Sequence, residues 1–140
     1  MLRVNAINKG IVLDHIQAGN GIRIFERLRL KGADYPVALL MNVESTKMGR
    51  KDIIKISDTL DLDLTMLGLL DPRISVNYIE ESRVTSKVHP GLPERVDGLI
   101  ACKNPRCITT DERHGPSSFT LLDKETKVYK CSYCGERVRM

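Results

Sequence analysis

The sequence is poor in aromatic residues, with two Phe, four Tyr and no Trp. Proteins that bind single-stranded RNA or DNA commonly stack the bases on aromatic side chains, so few such platforms are available here. The formal net charge of +4 is modest. It permits an anionic ligand without requiring nucleic acid, and we expect no nucleic-acid partner.

Long apolar runs are also missing. No stretch approaches the roughly 18–20 apolar residues that a membrane-spanning helix needs. The N-terminal sequence MLRVNAINKG lacks the apolar core of a secretory signal peptide. We therefore expect a cytoplasmic protein without a membrane partner. Its 41% hydrophobic and 29% charged residues are typical of a soluble, folded chain.

Motifs that would indicate an enzyme are absent as well. The sequence contains no Walker loop, no Rossmann glycine pattern and no nucleophile elbow. It also offers no paired acid and base residues and no metal site with an open position. We predict no catalytic residues.

Four cysteines form the most specific pattern that is present: C-x4-C, then 23 residues, then C-x2-C. In a reducing compartment this spacing favours a metal site over disulfides. Four thiolates surround Zn2+ tetrahedrally at about 2.3 Å and leave no position for a substrate. The sequence predicts one structural zinc per chain, bound by Cys102, Cys107, Cys131 and Cys134. Two alternatives remain: a redox pair of Cys131 and Cys134, or two disulfides.

The residues around these cysteines have strand character. SSFTLLD (117–123) and TKVYKC (126–131) are β-rich and are joined by a turn-like DKE, with LIAC (99–102) before them and ERVRM (136–140) after. We predict a small antiparallel β unit with too little apolar surface to fold alone. Zinc binding, worth roughly 10–16 kcal/mol in model peptides, would replace the missing core.

The first part of the chain alternates between strand and helix patterns. Predicted strands cover 3–7, 10–16, 35–43, 51–57, 73–81 and 82–88, with helices over 21–30 and after an Asp61 cap. The order is that of a ferredoxin-like α/β sandwich, so the fold class is α+β. HPGLPERVDG (89–98) predicts the boundary, which gives domains of residues 1–92 and 93–140.

The charges divide unevenly between these parts. Residues 98–140 carry a net charge of +3, and residues 1–97 carry +1. A zinc-ribbon protein that binds nucleic acid is therefore the alternative function. A basic shell has a simpler explanation, because four thiolates on Zn2+ leave a formal charge of −2.

A family resemblance rests on five stretches that occur in this order: VLDHI (12–16), MGRKDIIKI (48–56), VNYI (76–79), SKVHPGLPER (86–95) and the four-cysteine ending. In these stretches, and over nearly its whole length, the chain resembles the regulatory chain of aspartate carbamoyltransferase, an enzyme of pyrimidine biosynthesis.

The resemblance implies a non-catalytic regulatory subunit. Its N-terminal domain would bind nucleoside triphosphates, with CTP as inhibitor, ATP as activator and UTP as a third candidate. Its zinc domain would contact the catalytic chain. Homodimers of regulatory chains would bridge catalytic trimers in the holoenzyme.

The resemblance also implies the site residues. The first strand would contact the base, the Asp-His pair the ribose and phosphates, and the lysines of three segments the triphosphate. The predicted nucleotide site contains Val4, Ala6, Ile7, Val12, Asp14, His15, Lys51, Lys55, Asn77, Ile79 and Lys87. The candidate contacts with the catalytic chain are instead chosen by geometry, because residues around the cysteines should be exposed where the sulfurs face inward. They are Asn104 and Arg106 on the first cysteine loop and Glu136 beyond the second. One departure is Ser82, where family members often have tyrosine.

Overall fold

The computed structural model describes residues 6–111 and 113–140, and the chain divides into two compact units, Met1–Gly91 and Leu92–Met140. The division falls one residue before the predicted boundary. Within the described residues, no helix combines the length and the apolar character needed to cross a membrane.

The described residues of the first unit form one five-stranded antiparallel sheet and two short α-helices. Its elements are β1 (Gly10–Gln17), α1 (Gly21–Arg27), β2 (Val37–Ser45), β3 (Gly49–Ile56), α2 (Leu64–Leu70), β4 (Ser75–Glu80) and β5 (Arg83–Val88). The strand order is β2-β3-β1-β4-β5. The predicted α+β class and the ferredoxin-like arrangement are confirmed, with β5 added at one edge.

The core of this unit lies between the sheet and the helices. Strand residues with alternate spacing, such as Ile11, Leu13 and Ile54, are fully buried together with Ile24 of α1 and Leu67 of α2. Because side chains alternate along a strand, the other face of the sheet carries Val12, Lys51, Ile53, Lys55 and Asn77. We call this second surface the open face.

Both helices differ from their predicted bounds. Helix α1 ends at Arg27 because Arg29 adopts a left-handed conformation (φ 55), and a 3-10 turn follows at Leu30–Gly32. Helix α2 is capped by Asp63, whose carboxylate accepts the amide of Met66 at 3.1 Å, and not by Asp61. Of two candidate aspartates, the one directly before the helical run can reach the third helical amide.

The strand predicted over residues 3–7 is wrong where it can be checked. Residues 3–5 lie outside the described part of the chain, and Ala6 and Ile7 belong to no strand. The carbonyl of Asn8 accepts the amide of Ser82, in the turn between β4 and β5, at 2.9 Å. Residues 6–9 therefore lie outside the strand β1, which begins at Gly10.

In the second unit, the part of the chain that the structure describes forms a four-stranded antiparallel sheet in the order β6-β7-β8-β9. Its strands are Arg95–Asp97, Ser118–Asp123, Val128–Cys131 and Arg137–Arg139. The first strand comes from the predicted linker, and LIAC is not a strand. Val96, Phe119 and Tyr129 are fully buried. The Tyr129 hydroxyl donates to the Pro93 carbonyl at 2.6 Å, and burial raises the pKa of Tyr129.

Candidate functional site

A row of directly paired residues crosses all five strands on the open face. Ala38 of β2 pairs with Lys55 of β3, Lys55 with Val12 of β1, Val12 with Asn77 of β4, and Asn77 with Lys87 of β5. Paired residues in an antiparallel sheet point to the same side, so these five side chains form one continuous line. The Asn77 amide also donates to the Val12 carbonyl at 3.3 Å.

Beside this row, a β-bulge in β1 brings together a carboxylate, an imidazole and an ammonium group. The pairing of β1 with β3 shifts between Leu13 and Ile16, and His15 is left-handed (φ 57). Asp14 Oδ1 lies 3.0 Å from Lys51 Nζ and accepts the His15 amide. The His15 Nδ1 lies 2.9 Å from Ser75 Oγ. A bulge re-aims side chains, and here it places two successive residues on one face.

The lysines around this group shift the pKa values of Asp14 and His15. Burial alone would raise the pKa of Asp14, but the Lys51 ammonium and the His15 amide together lower it, so this carboxylate stays charged. Burial, together with the positive charges of Lys51, Lys47 and Lys87, lowers the pKa of His15 and outweighs the charge of Asp14. An incoming anion would reverse the effect of the three lysines.

Two cavities border the open face. One, of about 280 Å³, is lined mainly by small or apolar residues and by Lys55; its wall includes Ala6, Ile7, Asn8, Ala38 and Ser57. The other, of about 300 Å³, is strongly basic and is lined by His15, Lys47, Met48, Arg73, Lys87 and His89. The two surfaces match the two ends of an elongated ligand with one apolar and one anionic part.

The structure groups the predicted nucleotide residues but does not make all their lysines converge. Lys51 and Lys55 share a face, as predicted, but Lys55 borders the apolar cavity and Lys87 the basic one. Three strand spacings separate Lys55 from Lys87, about 14 Å. Val4 lies outside the described residues, and Ile79 follows Asn77 on the same face of β4.

Several residues at the basic cavity were missed by the sequence analysis. Lys47 lies in the β2–β3 turn, Arg73 precedes β4, and His89 follows β5. Among the described residues, none of the three has a carboxylate within ion-pair distance. Only the fold brings these segments together. Ser75 was detectable, because it precedes Asn77 by two positions and so shares its face.

Asp52 was also missed, although it belongs to the GRKD stretch. Its side chain is fully buried and accepts the amides of Gly19 and Gly21 through one oxygen and that of Asn42 through the other. A side chain at Gly21 would lie 2.7 Å from the same carboxylate. Through these hydrogen bonds, Asp52 holds the β1–α1 turn and the β2 bulge against β3, the strand that carries Lys51.

The four cysteines of the second unit form one cluster. Their sulfur atoms all lie within 4.8 Å of one another, with Cys102 and Cys134 at 3.6 Å and Cys107 and Cys131 at 3.7 Å. Four sulfurs held about 2.3 Å from a tetrahedral ion would lie about 3.8 Å apart, so the donor set fits such an ion. All four cysteines are free, so the alternative of two disulfides is not present.

The protonation of the cluster is uneven. Burial raises the pKa of Cys102 to about 12, with neighbouring sulfurs adding to the effect. The hydroxyl and amide of Thr109 lower the pKa of Cys107 to about 7, and the hydroxyl lies 3.0 Å from its sulfur. A metal ion binds the thiolate form, so binding at this cluster would release protons.

The predicted contact residues lie on the two cysteine loops. Arg106 and Glu136 are exposed, and Asn104 is half-buried. The Asn104 side chain accepts the Arg106 amide at 3.0 Å, and its carbonyl accepts that of Cys107. His114 packs edge-on against Tyr133, with ring centroids 4.8 Å apart, and takes no part in the cysteine cluster.

Comparison with known proteins assigns both units. Residues 2–90 match the family model for the aspartate carbamoyltransferase regulatory chain, allosteric domain, and residues 94–140 match that for its metal binding domain. Similar proteins carry the name aspartate carbamoyltransferase regulatory chain. The relative in Clostridium tetani is 52% identical over 97% of this chain and 95% of its own. The relative in Clostridium botulinum is 50% identical over 97% of this chain and 93% of its own. The relative in Bifidobacterium longum is 38% identical over 99% of this chain and 100% of its own.

Proposed function

Because this chain belongs to the family of aspartate carbamoyltransferase regulatory chains, non-catalytic subunits with an allosteric and a metal-binding domain, we propose that its open face binds nucleoside triphosphates as effectors. CTP would act as inhibitor and ATP as activator, with UTP as a further candidate. The regulated partner would be the catalytic chain, in a holoenzyme where dimers of this chain bridge catalytic trimers.

One observation carries the proposal: the row from Ala38 to Lys87 runs from the apolar cavity to the basic one. A triphosphate carries about three to four negative charges, and His15, Lys47, Lys87 and Arg73 supply donors for them. The base would occupy the cavity beside Ala6, Ile7 and Lys55, and the ribose would cross Val12 and Asn77.

Asp14 has a specific place in this arrangement. Beside phosphate its charge would be repulsive, but it holds Lys51 at 3.0 Å and the backbone of the bulge. It therefore orients two of the groups that face the ligand. Because the Lys51 ammonium has three N–H donors, it can keep this ion pair and still donate to a phosphate oxygen.

The test is calorimetric titration of the full metal-loaded chain with CTP and with ATP. We expect each to bind at one site per chain and to displace the other. No heat of binding for either nucleotide at millimolar concentration would contradict the proposal. Allostery further requires that an effector bind two states of the enzyme unequally, typically with about 1–3 kcal/mol of coupling.

We also propose that the metal is a single structural Zn2+ per chain, held by the four cysteines, and that the loops around it contact the catalytic chain. The sulfur spacing, and four cysteines that would fill a tetrahedral shell without an open position, support a structural zinc over a catalytic metal. Elemental analysis should find one zinc per chain.

The contact itself is tested by co-purification with a catalytic chain. We expect a chelator to abolish the association, and Arg106→Ala or Glu136→Ala to weaken it, while Lys124→Ala in the β7–β8 turn serves as a matched surface control. An association that survives chelation would exclude the metal-bound loops as the docking element. The family match favours this partner over the nucleic-acid alternative.

A further inference from the structure

The turn between β4 and β5 has an unusual backbone for its sequence. Glu80 pairs with Arg83, so the turn consists of Glu81 and Ser82 alone. Both residues are left-handed, with φ values of 49 and 63. Two-residue turns of this kind favour Asn-Gly or Gly-Gly, because side chains disfavour positive φ. A turn without glycine needs compensating contacts.

Those contacts come from the segment that precedes β1. The Ser82 amide donates to the Asn8 carbonyl at 2.9 Å, and the Ser82 hydroxyl donates to Asn8 Oδ1 at 2.9 Å. The partners are 74 residues apart in the sequence. We call this double hydrogen bond the Ser82–Asn8 clasp. It fixes both the main chain and the side chain of Asn8.

The clasp acts on one end of the open face only. Asn8 lines the apolar cavity together with Ala6 and Ile7, residues that no strand pairing holds in place. The basic cavity is lined by other residues. Fixing Asn8 therefore fixes a wall of the apolar cavity and leaves the anion-binding groups untouched.

We propose that Ser82 is a positioning residue for the base-binding end of the effector site: through Asn8 it holds the wall against which the nucleobase packs. This inference rests on the proposed nucleotide function. It assigns Ser82 a role in affinity for the nucleoside part, and in selection between bases, that is separate from the binding of phosphates.

The test compares wild type with Ser82→Gly by calorimetry, using CTP, ATP and inorganic tripolyphosphate as probes of the full metal-loaded chain. Glycine favours the left-handed conformation, so the turn is kept and only the hydroxyl is lost. We expect CTP and ATP to bind about three- to tenfold more weakly, the equivalent of one hydrogen bond. Tripolyphosphate should bind as tightly as before.

Two further variants separate the clasp from other effects. Asn8→Ala removes the Oδ1 acceptor of the Ser82 hydroxyl. The double variant, Asn8→Ala with Ser82→Gly, should bind CTP and ATP no more weakly than either single variant, because both substitutions break the same hydrogen bond. Thr85→Ala is the matched control: it removes an exposed hydroxyl that donates to the Tyr78 carbonyl at 3.2 Å on the same hairpin. It should leave all three affinities unchanged.

The outcomes are distinct. If Ser82→Gly binds CTP and ATP with unchanged affinities and an unchanged ratio between them, the inference is overturned. The proposed nucleotide-binding function then stays intact. An equal loss for tripolyphosphate would also overturn it, since the effect would then be on the whole face. If wild type binds neither nucleotide, the proposed function fails and the role of Ser82 fails with it.

Discussion

Replacing Asp52 by Asn changes one atom in a fully buried side chain that accepts three backbone amides, those of Gly19, Gly21 and Asn42. The asparagine oxygen can keep the two bonds to Gly19 and Gly21, and its NH2 group then faces the Asn42 amide. One hydrogen bond to a charged acceptor is lost, and the new NH2 group, at a fully buried position, faces the Asn42 N–H instead of an acceptor.

The expected cost follows from these contacts. A hydrogen bond to a charged group contributes about 1.5–3 kcal/mol, and an unsatisfied buried donor costs about 1–3 kcal/mol. Easier burial of a neutral amide offsets part of this loss. We expect Asp52→Asn to lower the free energy of unfolding by about 2–4 kcal/mol. In a domain of this size the melting temperature would fall by roughly 10–20 °C.

The assay is urea unfolding followed by far-UV circular dichroism, because the chain has no Trp for fluorescence. The matched control is Asp58→Asn, which changes an exposed carboxylate that accepts only the neighbouring Thr59 amide at 2.8 Å. The control should change stability by less than about 0.5 kcal/mol. If Asp52→Asn changes stability no more than the control does, the hydrogen bonds of Asp52 to Gly19, Gly21 and Asn42 do not stabilise the fold as proposed.

Three other predictions follow from the open face and the cysteine cluster. Lys87→Gln should weaken tripolyphosphate binding about three- to tenfold at low salt and less at high salt, since Lys87 is exposed. Lys124→Gln is the control. If titration calorimetry gives Lys87→Gln the same affinity as wild type, a contact with Lys87 is refuted. Because the pKa of His15 is lowered from its ordinary value, its imidazole is mostly neutral in the free chain at neutral pH. A bound phosphate raises that pKa, so binding takes up a proton. Nucleotide affinity should therefore rise as the pH falls from 8 to 6, by more in wild type than in His15→Gln; parallel pH profiles would contradict this. Chelation should unfold the second unit, because its buried apolar side chains are few, and should leave the first unit folded. If residues 95–139 keep their amide dispersion in NMR spectra after chelation, the metal has no structural role.

Much of the fold was accessible from the sequence because its signals are local. Alternation in KDIIKIS places Ile54 and Ile56 in the core and Lys51 and Lys55 on the opposite face, as the structure confirms. The cysteine spacing likewise predicts the cluster of four sulfurs. Such patterns depend only on strand geometry and on the reach of two short loops.

The rest depends on contacts between distant segments. The bulge at His15 arises where β1 pairs with both β3 and β4. No glycine or asparagine stands beside His15 in the sequence to predict its left-handed conformation. β6 was interpreted as linker because its three residues follow two prolines, yet Val96 pairs with Phe119 and is buried. Lys47, Arg73 and His89 come from separate connections, so their basic cavity is visible only after folding.

The proposed function places a nucleoside triphosphate along the open face. NMR titration of the 15N-labelled, metal-loaded chain with CTP tests it most directly. We expect the largest amide shifts at Val12, His15, Lys55, Asn77 and Lys87, with Leu64–Leu70 of α2 little affected. Shifts concentrated on the helical layer, or none at saturating CTP, would contradict it.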